Sequence, residues 1–420
     1  MATSGRVRSW RLPESFPAIV AGGLGTLVTG VTIGLLIDPS ALVGTSAYLF
    51  GTGFLLAVGL YGSTYSIDLR ALRADLSGVV AAVTLGVVLK ASLIAGVMVL
   101  AFDRPEYLVL GIAVAQIDPL SVAALGKGDR MSPRARSLLT AWASFDDPMT
   151  VLLTLYVAAY AYTRSGREGM PAVAGGGADG YVHGLALNAA LLAGVLLLWW
   201  AGRRGLRAAA GSRAAAGALA GTPLGRRTGA VLTGVLVVAT LVLAASGMLM
   251  LAVALAGLVV RTPAFDKVVD GAVAGAYLAA SLALGLFLAQ GVSLLPGLVL
   301  GVTAFGAQAV VALGVMPVFV KGLERRDRAA LGLGQQNGIT AVLIALALEP
   351  DFPGTVSVVG PAVLTVNLLH ATSQVLLTGA PRRWRGRGRG EPDTGEERPR
   401  DQGKPEPLAR EPLPDGRPGG

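Results

Sequence analysis

Runs of eighteen or more apolar residues recur between residues 17 and 378, and they constrain the fold of this chain more than any other feature. A helix of about 20 apolar residues has the length that crosses the ~30 Å hydrocarbon core of a bilayer. Only 15% of the 420 residues are charged, against about 25% in soluble domains. The sequence therefore predicts an all-α polytopic membrane protein.

Division of the longer runs at glycine, serine and proline residues predicts about twelve transmembrane helices, which we number spans 1 to 12. They cover residues 17–37, 43–61, 77–101, 107–125, 137–161, 183–201, 229–245, 247–260, 270–290, 294–320, 329–348 and 355–378. The transmembrane domain is thus predicted to span residues 17–380, after a cytoplasmic segment at 1–16. Residues 381–420 contain too few apolar side chains to fold and are predicted to form a disordered cytoplasmic tail.

The basic residues predict the orientation of these spans. If the chain begins in the cytoplasm, nearly all loop lysines and arginines lie inside, and the outer loops hold only Arg104, Arg164 and Arg167. Cytoplasmic loops carry such an excess of positive charge. Both termini are therefore predicted to be cytoplasmic, and the net charge of +9 needs no nucleic-acid partner to explain it.

Three carboxylates interrupt the apolar sequence within thirty residues: Asp118, Asp146 and Asp147. An ionised carboxylate inside a bilayer costs at least ~2.5 kcal/mol and is a functional-site candidate by default. At the helical rise per residue, Asp118 lies roughly 17 Å along span 4 and Asp147 roughly 15 Å along span 5. Because a short loop joins these spans, the acids are expected to face one cavity near the midplane.

Two spans carry residues that are unsuited to a regular helix. Pro119 removes a backbone donor directly after Asp118, so span 4 is predicted to break there. Span 11 contains the polar, glycine-rich stretch Gly334-Gln335-Gln336-Asn337-Gly338, which predicts a second break. The breaks lie seven spans apart, and this odd offset gives the two broken spans opposite orientations in the membrane. Spans 3 to 5 and 10 to 12 are therefore predicted to be inverted repeats whose broken helices cross. The structural alternative is a proline kink in which Asp118 caps the second half-helix.

These motifs resemble those of the monovalent cation:proton antiporter superfamily, which includes the sodium/hydrogen exchangers. The stretch Gln116-Ile117-Asp118-Pro119-Leu120-Ser121-Val122 resembles the Thr-Asp-Pro-Val-Ala-Val type signature of that family. Phe145-Asp146-Asp147-Pro148 resembles its paired-aspartate motif, and the glycine-rich stretch of span 11 resembles its second broken helix.

The resemblance implies a homodimeric transporter of the cell membrane, not an enzyme, that needs no cofactor and exchanges a monovalent cation for protons. The expected cation is Na⁺. Asp147 matches the essential acid, and Asp146 matches its neighbour in the paired-aspartate branch. Burial disfavours the charged carboxylate, so either a proton or Na⁺ can neutralise Asp147. The Na⁺ site is predicted at Asp147 and Asp118, with Ser144 and carbonyls freed near Ile117.

Paired-aspartate members often carry a lysine in the tenth span, where this chain has only Gln308. Lys90 instead lies in span 3, the repeat counterpart of span 10, and is predicted to be the positive partner of Asp146. Five further residues are predicted to shape the breaks or the pathway: Pro119, Gln116, Gln336, Asn337 and Gly338. His370 in span 12 is either a pH-sensing group or a packing histidine held by hydrogen bonds.

Other functions share some of these features. A sodium-coupled symporter of a small organic solute could use the same broken helices, although no residues indicate a roomy solute site. An intramembrane aspartyl protease would explain the Gly126-Lys127-Gly128-Asp129 pattern, yet this pattern lies in an inner loop and has no Tyr-Asp partner. A channel would conduct the cation without proton coupling. The sequence does not decide between Na⁺, Li⁺ and K⁺, nor whether exchange is electrogenic.

Overall fold

A computed structural model describes residues 16–67, 76–118, 122, 131–168, 171, 180–208 and 223–379. Within these ranges all regular secondary structure is helical, which confirms the predicted all-α class. Most of the predicted cytoplasmic segment 1–16, the tail 381–420, Pro119 and the Gly-x-Gly-Asp pattern lie outside the described residues.

The α-helical segments are numbered here in chain order. They are α1 Phe16–Leu36, α2 Ser46–Tyr65, α3 Leu76–Ala81, α4 Val87–Phe102, α5 Leu108–Ala113, α6 Pro133–Arg164, α7 Gly180–Ala208, α8 Pro223–Gly247, α9 Met250–Val259, α10 Asp266–Leu288, α11 Leu294–Val310, α12 Met316–Phe319, α13 Arg325–Gly332, α14 Ile339–Leu348 and α15 Thr355–Gly379. A π-helical turn, Ala82–Gly86, joins α3 to α4, and a second, Val311–Val315, joins α11 to α12.

Every predicted span overlaps at least one of these helices. Among the described residues, seven helices are long and apolar enough to cross a membrane by length and composition. Shorter apolar helices include Met250–Val259 and Ile339–Leu348. The polytopic membrane class is consistent with this helix set, whereas the count of twelve spans and the cytoplasmic termini stay predictions.

Spans 4 and 11 are interrupted, as the sequence predicts. In span 4 the helix ends at Ala113, so the break begins before the position that Pro119 alone would predict. In span 11 the break lies between α13 and α14. All ten residues of α14 are buried, which is the environment of a helix that is apolar on every face. The second half of span 11 is therefore packed inside the protein.

The acid-bearing helix α6 has 32 residues and is longer than the predicted span 137–161. Ser132 caps its N-terminus by accepting a hydrogen bond from the Ala135 N–H at 3.2 Å, and Pro133 occupies the first turn, where a missing N–H costs nothing. Pro148 lies inside the helix directly after the acids without ending it. The helix thus carries both acids on one continuous rod.

Candidate functional site

Two non-helical segments meet in the interior of the molecule: residues 114–118 after α5 and residues 333–338 before α14. The Asp118 N–H donates to the Gln336 carbonyl at 2.9 Å. Backbone groups released by a broken helix need other hydrogen-bond partners when they are away from water. Here a backbone group of each broken segment is the partner of a backbone group in the other. The predicted crossing of two broken spans is confirmed.

Two side-chain amides satisfy further carbonyls at the crossing. Gln335 Nε2 donates to the Gln116 carbonyl at 2.8 Å and to the Val114 carbonyl at 3.2 Å. Asn337 Nδ2 donates to the Val114 carbonyl at 3.0 Å. Asn337 therefore holds the backbone of the opposite break, and Gln335, which the sequence interpretation did not single out, acts beside it.

Helix α15 supports the second break from behind. The Asn367 amide pairs with the backbone of Asn337, since Nδ2 donates to its carbonyl at 2.9 Å and Oδ1 accepts from its N–H at 3.1 Å. His370 Nδ1 lies 2.8 Å from the Leu333 carbonyl, and its Nε2 lies 2.5 Å from Gln336 Nε2. These partners suit a neutral ring with the proton on Nδ1. A pH-sensing role for His370 stays a prediction.

Gly338 lies directly against the carboxyl group of Asp118. A Cβ atom on Gly338 would stand 2.6 Å from Asp118 Oδ1 and 2.7 Å from Oδ2, so only glycine leaves room for this carboxyl. The Val122 N–H donates to the Asp118 carbonyl at 3.1 Å, and the chain is helical again at Val122. Asp118 thus lies at the end of the first non-helical segment, in contact with the second break.

Asp146 is completely buried and is paired with a cation. Lys90 Nζ, also completely buried, lies 2.9 Å from Asp146 Oδ2. The Ile117 N–H donates to the same oxygen at 3.1 Å. The structure therefore places Lys90 against the acid for which the sequence proposed it, and Ile117 contributes an N–H to Asp146.

Asp147 is 1% exposed and is surrounded by neutral polar groups. Ser63 Oγ donates to Asp147 Oδ2 at 2.7 Å, and Thr340 Oγ1 donates to the same oxygen at 3.2 Å. The Gln116 amide satisfies its neighbours when Nε2 faces Asp147 Oδ1 at 3.1 Å and Thr150 Oγ1 at 2.9 Å. Groups from α2, α14 and both broken spans thus converge on one carboxylate.

Asp118 lies against Gly338, two residues before Thr340, which donates to Asp147, so the second break contacts both of the predicted Na⁺-binding acids. The Ser144 hydroxyl donates to the Thr140 carbonyl, one turn earlier in α6, at 2.7 Å, and its role as a Na⁺ ligand stays a prediction. Pro119 lies outside the described residues.

The sequence interpretation missed Ser63, Thr340 and Thr150 as neighbours of Asp147. A weak signal existed for two of them. Ser63 belongs to the polar stretch Gly62-Ser63-Thr64 at the end of an apolar span, and Thr340 follows the second break by two residues. Both positions are buried, which the sequence alone does not reveal.

The site offers carboxylate, hydroxyl and carbonyl oxygens, the ligand atoms that hard cations prefer. Its two adjacent acids differ in their partners, because Asp146 faces an ammonium group and Asp147 faces hydroxyl and amide groups. The hydrogen bonds to Asp147 described above therefore come from groups that carry no charge.

The family model described as "Sodium/hydrogen exchanger, transmembrane" matches residues 16–379. The chain belongs to this family. The exchanger is also similar in fold to the sodium proton antiporter MjNhaP1 from Methanocaldococcus jannaschii at pH 8, with a TM-score of 0.55 and 14% sequence identity. That similarity covers 86% of this exchanger and 94% of the other chain. No curated protein matches the exchanger in sequence.

Membership confirms the resemblance drawn from the acidic motifs and the glycine-rich stretch. The family is one of transporters, so the exchanger is a multi-pass membrane protein of the cation/proton antiporter class. The matched region runs from the start of α1 to the end of α15. All residues of the site described above lie within it.

Proposed function

We propose that this protein carries Na⁺ in one direction and H⁺ in the other by alternating access, with both ions competing for Asp147. One observation carries the proposal: two neighbouring buried carboxylates have different kinds of partner. Lys90 balances Asp146 at 2.9 Å, whereas the hydrogen bonds to Asp147 come from Ser63, Thr340 and Gln116, which carry no charge.

Competition follows from the cost of an unbalanced charge inside the membrane. A carboxylate without a counter-charge is stabilised either by protonation or by a bound cation, and one occupant excludes the other. If the site opens to one side of the membrane at a time, release of one ion and capture of the other produce exchange. The acid that must alternate is Asp147, since the charge of Asp146 is already balanced.

The proposed Na⁺ ligands are oxygens that already converge on Asp147. A hydroxyl group can turn its lone pairs toward a cation when it stops donating, so Ser63 and Thr340 join Asp147 in the ligand set. Asp118 supplies the second negative charge. Ser144 could join as well, because its oxygen keeps lone pairs while its O–H donates to the Thr140 carbonyl.

We further propose that Lys90 keeps Asp146 out of the competition by balancing its charge. Replacement of Lys90 by Ala should leave the charge of Asp146 unbalanced beside Asp147. This should alter both the rate of exchange and its pH dependence. Unchanged exchange with an unchanged pH dependence in Lys90→Ala would contradict this role.

The decisive experiment uses the purified protein in proteoliposomes with a preset pH gradient and a pH-sensitive dye. Na⁺, Li⁺, K⁺ and small organic solutes are added in turn, and we expect Na⁺ to dissipate the gradient. Asp147→Asn should abolish the response. A matched control is Glu106→Gln, which removes a surface acid whose ion pair with Arg104 is long, at 3.8 Å.

If no monovalent cation dissipates the gradient in the unsubstituted protein, the antiport proposal fails. A response that requires an organic solute would favour the symporter, and cation flux without proton movement would favour a channel. The resemblance also implies a homodimer in the cell membrane, and the basic residues of the loops predict that both termini are cytoplasmic. Chemical cross-linking in vesicles and protease accessibility of the tail test these two points.

A further inference from the structure

Trp142 lies beside the Lys90–Asp146 pair and has no part in the ion site described above. It is the largest fully buried side chain in the described part of the chain and precedes Asp146 by four residues, which places both on one face of α6. Lys90 Nζ lies 5.1 Å from the centre of the Trp142 ring, within the range of a cation–π contact. One aromatic residue thus faces both members of the ion pair.

Two complementary polar atoms in this cluster lack an ordinary hydrogen bond. Lys90 and the Ile117 N–H both contact Asp146 Oδ2, while Asp146 Oδ1 and Trp142 Nε1 have no hydrogen-bond partner of ordinary geometry. The indole N–H is nevertheless near enough to act on the Asp146 carboxylate. Buried polar groups are nearly always paired, so this donor and acceptor point to a bond that forms in another state of the protein.

Two irregular helical segments lie beside the indole ring. A Cβ atom on Gly86 would lie 3.4 Å from Trp142 Cζ2 and 3.3 Å from Val311 Cγ1. Gly86 ends the first π-helical turn, and Val311 begins the second. Single π-helical turns occur often at functional sites, and here two of them meet at the ring. The segments that hold Trp142 are thus the irregular ones of spans 3 and 10.

We propose that Trp142 is a positioning residue that forms a hydrogen bond with Asp146 when Lys90 moves away during exchange. The indole N–H then donates to Asp146 Oδ1 in place of the lost Lys90 contact, so the carboxylate, which also accepts from the Ile117 N–H, has two donors in both states. This inference rests on the proposed exchange function, because it assigns Lys90 and Asp146 to a cycle with at least two conformations. It explains why a polar aromatic residue, and not an aliphatic one, fills this buried position.

The first test is spectroscopic. The chain has five tryptophans, and replacement of the other four by phenylalanine leaves the ¹⁵N-labelled indole of Trp142 as the single indole resonance in nanodiscs. We expect Lys90→Ala to move its N–H resonance downfield, as a new hydrogen bond to a carboxylate does, and Lys90→Ala with Asp146→Ala, which has no side-chain acceptor, to reverse the shift. A protein that retains only Trp200, which is 50% exposed on α7, should show no shift.

The second test separates binding from turnover in proteoliposomes. Trp142→Phe keeps an aromatic ring but removes the N–H, so the maximal exchange rate should fall about fivefold, the size of one hydrogen bond. The half-saturating Na⁺ concentration should stay constant, since Asp147 and its partners are untouched. Trp200→Phe should change neither quantity.

An indole resonance that does not respond to Lys90→Ala, or a Trp142→Phe protein with the unsubstituted rate, would overturn the inference while leaving the exchange function intact. If the unsubstituted protein moves no cation, the exchange function fails instead. The resonance experiment still decides whether Trp142 forms a hydrogen bond with Asp146, because it does not depend on transport.

Discussion

At the scale of single residues, the site separates two acids that are adjacent in sequence. Consecutive residues on a helix point about 100° apart, so Asp146 turns toward Lys90 on α4 and Asp147 turns toward Ser63 on α2. The pair is therefore better described as two sites with two tasks than as one chelating dyad. Of these two acids, Asp147 is the one whose partners are neutral, so a cation can displace them without leaving an unpaired charge in the interior.

The hydroxyl groups around Asp147 give the first prediction at this scale. If Ser63 and Thr340 are Na⁺ ligands, Ser63→Ala and Thr340→Ala should each raise the half-saturating Na⁺ concentration, by roughly fivefold for one hydrogen-bonding group. The effect of Ser63 should be the larger, because its hydroxyl lies 2.7 Å from Asp147 Oδ2 and that of Thr340 lies 3.2 Å away. Exchange rates measured across a Na⁺ series in proteoliposomes check both values.

Thr52→Ala is the matched control for these variants. Thr52 is a buried hydroxyl residue on the same helix as Ser63, but it donates within the helix to the Tyr48 carbonyl at 2.8 Å. Its removal should leave the Na⁺ dependence unchanged. Equal Na⁺ affinities in Ser63→Ala, Thr340→Ala and the control would show that these hydroxyls only stabilise the fold.

At the scale of elements, the breaks are stabilised by one another. Pro119 explains a missing donor in span 4, yet α5 already ends at Ala113. The earlier ending is compensated by the amides of Gln335 and Asn337, which bind the Val114 and Gln116 carbonyls. Each unsatisfied backbone group in a membrane interior would cost several kcal/mol, so neither break is stable without the other.

Gly338 is the position at which this dependence can be tested. Gly338→Ala would place a methyl group against the Asp118 carboxyl, 2.6 Å from Oδ1, and should force the two breaks apart. Because small displacements at a reaction centre are costly, exchange should fall at least about tenfold. The measurement is the Na⁺-dependent exchange rate, with gel filtration in detergent to show that the protein remains folded.

Gly306→Ala provides the comparison, since a Cβ atom there would meet nothing within 4 Å on α11. It should exchange at the unsubstituted rate. If Gly338→Ala also retains that rate, the contact between Asp118 and the second break is not needed for transport.

The sequence predicted the elements of this site better than the hydrogen-bond partners of Asp147, and the reason is physical. Charges and helix-breaking residues are conspicuous in apolar sequence, so Asp118, Asp147 and both breaks were found, and Lys90 followed because span 10 lacks a lysine. Hydroxyl residues give no such signal, because serine and threonine in helices usually donate to the carbonyl four residues earlier. Ser144 does so and was predicted as a ligand, whereas Ser63 contacts Asp147 from a distant span.

At the scale of the whole molecule, close helix packing carries the site. A Cβ atom on Gly30 of α1 would overlap the Leu282 carbonyl of α10, and one on Gly285 would overlap the Leu27 carbonyl, so these helices touch along their backbones as small residues allow in membranes. Helix α2 is held at its end by Arg261, which donates to the Thr64 carbonyl at 2.8 Å. Ser63 therefore reaches Asp147 from a helix that is itself anchored.

The whole molecule must also couple two ions, and this gives the last prediction. If protons and Na⁺ compete for Asp147 as proposed, protonation of the site at lower pH must be overcome by more Na⁺. Lowering the pH by one unit should raise the half-saturating Na⁺ concentration by up to about tenfold, as expected when one bound proton is displaced, with the maximal rate unchanged. Initial rates of Na⁺ entry test this relation when the pH is equal on both sides of the vesicle and the external Na⁺ concentration is varied at each pH. The Glu106→Gln protein should show the same pH dependence as the unsubstituted protein, because the carboxyl group that it lacks lies at the surface. A half-saturating Na⁺ concentration that does not change with pH would mean that the proton and the cation use separate sites.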